Sequence, residues 1–318
     1  MSSKITPTIE GGLLTAITVI LGLASTYLPV VGLFVEFFCA VPIVVLTVRQ
    51  GAGKGFLALI ASFLILSMLI GPLLSLRIAL SFGICGLVLG YCIEKNFSTV
   101  KCFLATFLTA FAAQVIAVAI LTFAMGINLM EVELSTVQAT LEETFQMYET
   151  AGIDKQEVEK MREQVKPALQ LVSYLMPLIL LLMALINAAI CYITARWIFQ
   201  KLRMKFPEPL PPFAAWHFPK FFVYLAAFSG IGLYWGATRD WNLLYTISIN
   251  AFYITGFVCL IQGFAVLSAI ADGYKLSKFW RRIFFIVIIF NKLMIDVVVF
   301  TGLFDIIFDF RKLSKKED

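Results

Sequence analysis

Apolar residues fill nine long stretches of this chain, and polar residues are concentrated in the segments between them. The stretches cover residues 11–31, 33–48, 54–70, 73–93, 102–127, 167–199, 219–236, 243–271 and 283–308. A helix crosses a bilayer core of ~30 Å with about 20 apolar residues. Several stretches reach that length, and they lack the polar face of a surface helix in a soluble protein. The pattern predicts an all-α integral membrane protein, a polytopic bundle of about eight or nine spans.

Composition supports this prediction. Hydrophobic residues make up 60% of the 318 residues and charged residues 14%, whereas soluble domains average about 45–50% and 25%. The first apolar stretch continues past any small-residue cleavage site, which predicts an uncleaved span and not a signal peptide.

An acidic segment separates the fifth and sixth stretches. Its apolar positions recur every three or four residues, at Leu134, Val137, Leu141, Phe145 and Tyr148. This spacing predicts an amphipathic helix over 134–150. Asp154 is the expected N-cap of a second helix, with Glu157 completing a capping box. We expect this second helix to run unbroken into the 167–199 span, with kinks possible at Pro167 and Pro177.

Basic residues occur in alternate connections between the stretches. With a cytoplasmic N-terminus, the cytoplasmic loops hold Arg49 and Lys54; Lys95 and Lys101; Arg196, Lys201, Arg203 and Lys205; and Lys275, Lys278, Arg281 and Arg282. This order follows the positive-inside rule through eight spans and places residues 130–166 outside. Orientation in the lipid bilayer thus accounts for the net charge of +5, and nucleic acid is not a predicted partner.

The last apolar stretch departs from that rule, because alternation would put Arg311, Lys312, Lys315 and Lys316 outside. Either residues 283–308 cross despite these charges, or they bend back at Asn291–Lys292. A single crossing is the favoured interpretation, because the stretch is too short for two full spans.

The same pattern predicts three parts. Residues 1–127 form an N-terminal membrane half of five helices, 128–166 an external acidic helical hairpin, and 167–318 a C-terminal membrane half with about four hydrophobic segments.

Four charged residues inside spans are the candidate functional residues, because charge within a membrane usually faces a partner or a cavity. Glu36 and Arg77 are predicted at similar shallow depth near the external side. They either neutralise one another or line an outward-facing site that holds a charged group of a small solute. Lys292 and Asp296, one helical turn apart, are predicted as an internal ion pair first and as coupling residues second.

Other candidate chemistry is weak. The six cysteines, Cys39, Cys85, Cys92, Cys102, Cys191 and Cys259, lie in or beside apolar runs and are predicted as packing residues. His217 is the single histidine, and no nucleophile, base and orienting group lie close in sequence. We therefore predict no catalytic residue, metal or cofactor, and a protein that is not an enzyme. The pairs Gly86-xxx-Gly90 and Gly232-xxx-Gly236 are typical of close helix packing.

Two groups of residues resemble a known family. The first is Tyr27-Leu-Pro-Val-Val-Gly32, Val41-Pro42, Arg49-Gln-Gly51, Gly71-Pro72 and Gly86-xxx-Gly90. The second is Phe213, Trp216-His-Phe-Pro219 and Gly302-Leu-Phe-Asp305-Ile-Ile-Phe-Asp-Phe-Arg311. Together they resemble the YybS-like family of uncharacterised bacterial multi-spanning membrane proteins, which implies a multi-pass protein of the bacterial cytoplasmic membrane.

The first half alone is similar to the substrate-binding S components of energy-coupling-factor transporters. This resemblance implies a six-helix bundle that captures a small molecule near its outer face. Solute binding or transport is therefore the first functional hypothesis. The alternative is a non-transporting scaffold or regulatory protein that works with a membrane protein partner in the cell envelope or in signalling.

The predicted orientation can be tested by labelling single cysteines in a cysteine-free chain. Thr150→Cys should react with an impermeant maleimide in intact cells, because charge alternation places the acidic hairpin outside. Lys201→Cys should react only after permeabilisation. Reaction of position 150 only after permeabilisation would show that the orientation is wrong.

Overall fold

The computed structural model describes residues 7–125 and 129–311. This part of the chain is mainly helical and holds no strand, which confirms the all-α class. The helices are α1 (Pro7–Tyr27), α2 (Val31–Glu36), α3 (Val41–Gln50), α4 (Ala52–Ile70), α5 (Pro72–Ile78), α6 (Ile84–Glu94), α7 (Thr99–Met125), α8 (Leu129–Thr150), α9 (Lys155–Tyr174), α10 (Met176–Lys201), α11 (Phe221–Thr238), α12 (Asn242–Gly273), α13 (Lys278–Ile289) and α14 (Lys292–Phe308). The end of the predicted 102–127 stretch and Lys312, Lys315 and Lys316 lie outside the described residues.

The predicted polytopic bundle is confirmed. Within the described residues, eight segments are long and apolar enough to cross a membrane, and a bent pair of helices brings the number to nine. The eight are α1, α2 with α3, α4, α5 with α6, α7, α10, α11 and α12.

Residues 283–308 do not form one straight helix, and the single crossing favoured for them stays a prediction. α13 and α14 form the bent pair, and their axes turn by 107° at the break between them. Asn291 has an extended backbone there, and its side-chain oxygen accepts a hydrogen bond from the Met294 N–H at 3.2 Å. Asparagine favours such a cap over continued helix, because its side chain replaces a missing backbone partner. The break lies at Asn291–Lys292, the position that the alternative interpretation gave.

The acidic segment forms the two predicted helices, α8 and α9. Asp154 caps α9 as predicted and accepts a hydrogen bond from the Gln156 N–H at 3.2 Å. The expected unbroken run from the second helix into the next span is wrong, because the helix is interrupted at Leu175. Pro177 follows two residues later; proline lacks a backbone N–H and disfavours helical geometry in the residue before it. Pro167 lies inside α9 without ending it.

Packing divides the chain into two units. The first comprises Met1–Ala151 and Ile179–Pro209, and the second comprises Gly152–Leu178 and Leu210–Asp318. The division does not follow the predicted parts, since most of α10 packs with the N-terminal spans. Among the described residues, the first unit therefore holds six of the eight candidate spans.

Small residues bring the helices of the first unit close together. A Cβ on Gly86 would lie 2.7 Å from the Ala40 carbonyl oxygen, and one on Gly90 would lie 2.6 Å from the Thr47 Cβ. These contacts pack α6 against α3 and confirm the packing role predicted for Gly86-xxx-Gly90. The six cysteines are buried, as expected of packing residues.

In the second unit, α11 and α12 form an antiparallel hairpin closed by residues 239–241. A Cβ on Gly236 would lie 2.8 Å from the Tyr245 backbone nitrogen. Near the other end of α11, the Phe218 N–H donates to the Gln262 side chain at 3.1 Å. The later residue of the first helix thus contacts the earlier residue of the second, and the reverse holds at the other end. The two helices are therefore antiparallel.

α14 packs on α12 through glycine as well. A Cβ on Gly302 would overlap the Cys259 carbonyl oxygen and lie 2.7 Å from the Gly263 nitrogen. The two backbones meet directly at this point, as small residues allow in helix pairs within membranes.

Gly302→Ala should destabilise the protein by about 1–3 kcal/mol, because the added methyl group overpacks the contact between α12 and α14. Gly256→Ala is the matched control, since a Cβ on Gly256 meets no atom within 4 Å. Thermal unfolding of the purified proteins in detergent measures the difference. Equal melting temperatures for the two variants would contradict the close approach.

Candidate functional site

Glu36 and Arg77, the candidate substrate-binding pair, lie where two spans depart from regular α-helical geometry. Glu36 is the last residue of α2, and the turn at residues 37–40 separates it from α3. Arg77 lies in the last turn of α5, directly before the π-helical segment Ala79–Gly83. π-Helical segments are frequent at functional sites, and transporters build many of their binding sites at broken helices. The local structure therefore marks the surroundings of this pair as a candidate site.

The structure brings the two side chains together. The Arg77 Nη2 atom lies 2.9 Å from the Glu36 Oε1 atom, with the arginine side chain 55% exposed and the glutamate side chain 12% exposed. Oε1 is buried, yet within the described residues it accepts no hydrogen bond of regular geometry. The contact is thus an ion pair that leaves acceptor capacity on the glutamate and most of the guanidinium donors uncommitted. Its role in binding a substrate stays a prediction.

The pair lies near one end of the first unit. Glu36 and Arg77 each lie five residues after the start of their span, a rise of about 7.5 Å. At this end the Tyr27 hydroxyl, in the last residue of α1, donates to the Leu69 carbonyl of α4 at 3.5 Å. A second ion pair joins Glu10 near the start of α1 to Arg49 near the end of α3. The described residues of the first unit therefore show an interhelical ion pair towards either end of the bundle.

Lys292 and Asp296 are not brought together. Both side chains are exposed on the first turns of α14, and no ion pair between them occurs in the described part of the chain. The internal pairing that the sequence predicted is absent, and the coupling role stays a prediction.

A buried polar cluster in the second unit was missed from the sequence. Gln262 of α12 and Asp305 of α14 are fully buried, and the side chain of Arg311, just after α14, is 10% exposed. The Asp305 Oδ2 atom accepts hydrogen bonds from Gln262 Nε2 at 2.6 Å and from Arg311 Nε and Nη2 at 3.1 and 2.8 Å. The carboxylate is therefore held by charge-assisted bonds from two directions.

The same cluster binds the loop that precedes α11. Arg311 donates from Nη1 to the Ala214 carbonyl at 2.5 Å and from Nη2 to the Trp216 carbonyl at 2.7 Å. Beside it, the His217 Nε2 atom lies 3.8 Å from the Asp309 Oδ1 atom. These contacts connect α12, α14 and the loop in one network, so the cluster holds the second unit together.

Two signals in the sequence could have revealed this cluster. Gln262 and Asp305 each interrupt an apolar stretch, and a polar residue inside a span usually faces a partner. The loop and the end of α14 are also the two stretches of the second resemblance group, and the structure places them in contact. Each stretch is mainly aromatic and apolar, which hid the polar contact between them.

Comparison with known proteins identifies the family. The family model described as predicted membrane protein (DUF2232) matches residues 16–306, so the chain belongs to this family of predicted membrane proteins. The uncharacterized protein YybS of Bacillus subtilis (strain 168) is 23% identical over 261 residues, covering 81% of this chain and 82% of that protein. The resemblance to the YybS-like family is thereby confirmed. No solved structure matches the chain.

Asp305→Asn should destabilise the protein by about 3 kcal/mol, because it leaves the guanidinium of Arg311 buried without its counter-charge. Asp272→Asn is the matched control: Asp272 pairs with Arg281 at 2.8 Å, but its side chain is 57% exposed. Removal of that exposed pair should cost less than about 1 kcal/mol. Unfolding in denaturant measures both losses, and a control loss as large as that of Asp305→Asn would contradict the assigned role.

Proposed function

We propose that the first unit binds a small solute at the end of its bundle where Glu36 and Arg77 meet, and takes it from the external side of the bacterial cytoplasmic membrane. The observation that carries this proposal is the asymmetry of the pair. The arginine side chain is 55% exposed, while its partner glutamate is 12% exposed and its buried Oε1 accepts no hydrogen bond among the described residues.

The uncommitted groups favour a solute of defined chemistry. A guanidinium with free N–H groups binds a carboxylate or phosphate through two parallel hydrogen bonds. The glutamate can accept a hydrogen bond from an amine or a hydroxyl group of the same molecule. A small solute that carries an anionic group and a nearby donor therefore fits the pair.

The six spans grouped in the first unit support the proposal. Six is the number of helices that the resemblance to S components of energy-coupling-factor transporters implies. The external position of the site rests on the positive-inside rule, because the loops at the opposite end of these spans carry the basic residues.

Native mass spectrometry of the protein purified from its own membrane tests the proposal. The wild-type protein should carry the additional mass of a small molecule, and Arg77→Ala should lose it. Arg49→Ala is the matched control, since Arg49 forms the other interhelical ion pair of the unit and its side chain is 42% exposed. It should retain the bound molecule.

Two outcomes would contradict solute binding at this pair. One is retention of the bound molecule by Arg77→Ala, and the other is a wild-type protein that carries none. A purely structural pair would instead make Glu36→Ala unstable, and Glu36→Ala/Arg77→Ala would recover part of the loss. Melting temperatures of the same variants separate these cases, and a structural result would favour the scaffold alternative.

A further inference from the structure

The hairpin of α11 and α12 defines two sides of the membrane, relative to which other parts of the second unit can be placed. The 18 residues of α11 rise about 27 Å, close to the thickness of a bilayer core. Because α11 and α12 are antiparallel and joined at residues 239–241, the start of α11 and the end of α12 share one side. The loop at 239–241 lies on the other side.

The start of α13 is fixed at the end of α12. Arg281, in the first turn of α13, donates to the Asp272 carboxylate at 2.8 Å and to the Ser268 hydroxyl at 3.3 Å. Both acceptors lie in the last two turns of α12. α13 therefore begins on the side where α12 ends.

The end of α14 is fixed at the start of α11. Arg311 donates to the carbonyls of Ala214 and Trp216 in the loop just before α11. If α14 ended on the opposite side, Arg311 would lie about 27 Å from the start of α11. The observed distances of 2.5 and 2.7 Å exclude that arrangement.

We infer that α13 and α14 form a re-entrant hairpin, which enters and leaves the bilayer on the side where α11 begins and α12 ends. The chain at Arg311 then lies on the same side as Lys275 and Arg281. This inference concerns the second unit alone and is independent of solute binding by the first.

Helix lengths agree with a re-entrant hairpin. The 12 residues of α13 rise only about 18 Å, which is too short for a bilayer core of ~30 Å. The 107° turn after α13 sends α14 in a new direction before a crossing is complete.

Local hydrogen bonds pair several backbone groups at the turn. The Phe290 N–H donates to the Ile286 carbonyl at 3.2 Å, and the Asn291 N–H donates to the Ile288 carbonyl at 3.1 Å. The Asn291 side-chain oxygen accepts a hydrogen bond from the Met294 N–H in the first turn of α14. A break inside a membrane requires these bonds, because lipid offers the backbone no partner.

Charge distribution agrees as well. A single crossing would put Arg311 and the basic residues that follow it in the sequence opposite the other basic loops. A re-entrant hairpin places Arg311 with Lys275, Arg281 and Arg282, in accordance with the positive-inside rule.

Cysteine labelling of the full chain tests the inference. The wild-type protein serves as the blank, because its six cysteines are buried. Single cysteines replace Asp240, Leu276 and Phe310, all of which are exposed. In intact cells, an impermeant maleimide should label Asp240→Cys at least ten times more than the other two. Leu276→Cys and Phe310→Cys should react only after permeabilisation.

The decisive comparison is between positions 276 and 310. If the cysteines at both positions lie on the same side of the membrane, the result supports the re-entrant hairpin, whatever the absolute orientation of the chain. If Phe310→Cys reacts under the same conditions as Asp240→Cys, while Leu276→Cys does not, the inference is overturned. Ser314→Cys, three residues after Arg311 in the sequence, provides a second reporter should Phe310→Cys fail to fold.

Discussion

Charge buried inside the protein has to be paired, and this constraint determines contacts that apolar helices alone would leave open. An unpaired charge in such surroundings costs several kcal/mol (about 3 or more), whereas a paired and hydrogen-bonded one can be retained. Asp305 and Arg311 satisfy the constraint by joining the end of α14 to the loop before α11. The path of the last two helices follows from that pairing.

The Asp305–Arg311 and Glu36–Arg77 ion pairs differ in how many hydrogen bonds the arginine makes. In the Asp305–Arg311 pair, one carboxylate oxygen receives three hydrogen bonds, and the guanidinium also binds two backbone carbonyls. In the Glu36–Arg77 pair, the arginine is half exposed and touches a single carboxylate oxygen. In both pairs one carboxylate oxygen accepts no hydrogen bond among the described residues, Glu36 Oε1 and Asp305 Oδ1, so the difference lies in the arginines. A guanidinium that donates several bonds inside the protein is typical of a structural link, whereas free donors next to irregular helix suit a ligand.

Besides these polar contacts, close packing between helices stabilises each unit. Helices in lipid gain little from burying further apolar surface, so they associate through small residues that let their backbones approach. Gly302 against Cys259 in the second unit and Gly86 against Ala40 in the first are such contacts. They bring helices to the distances at which the polar contacts of each unit can form.

The sequence by itself determined the class of this protein and the position of most of its spans, because a bilayer imposes a minimum apolar length that can be counted along the chain. It also determined the cap at Asp154, which depends on residues close in sequence, and the spacing of Gly86 and Gly90 predicted a packing face without naming its partner helix. Only the tertiary structure decided how the last helices run. Apolar length is the same for a straight and a bent segment, and the contact of Arg311 with Trp216 joins residues 95 positions apart. The meeting of Glu36 with Arg77 was predicted from their depth, but the exposure of the arginine depends on the turn at 37–40 and the π-helical segment. No local pattern of residues predicted either feature.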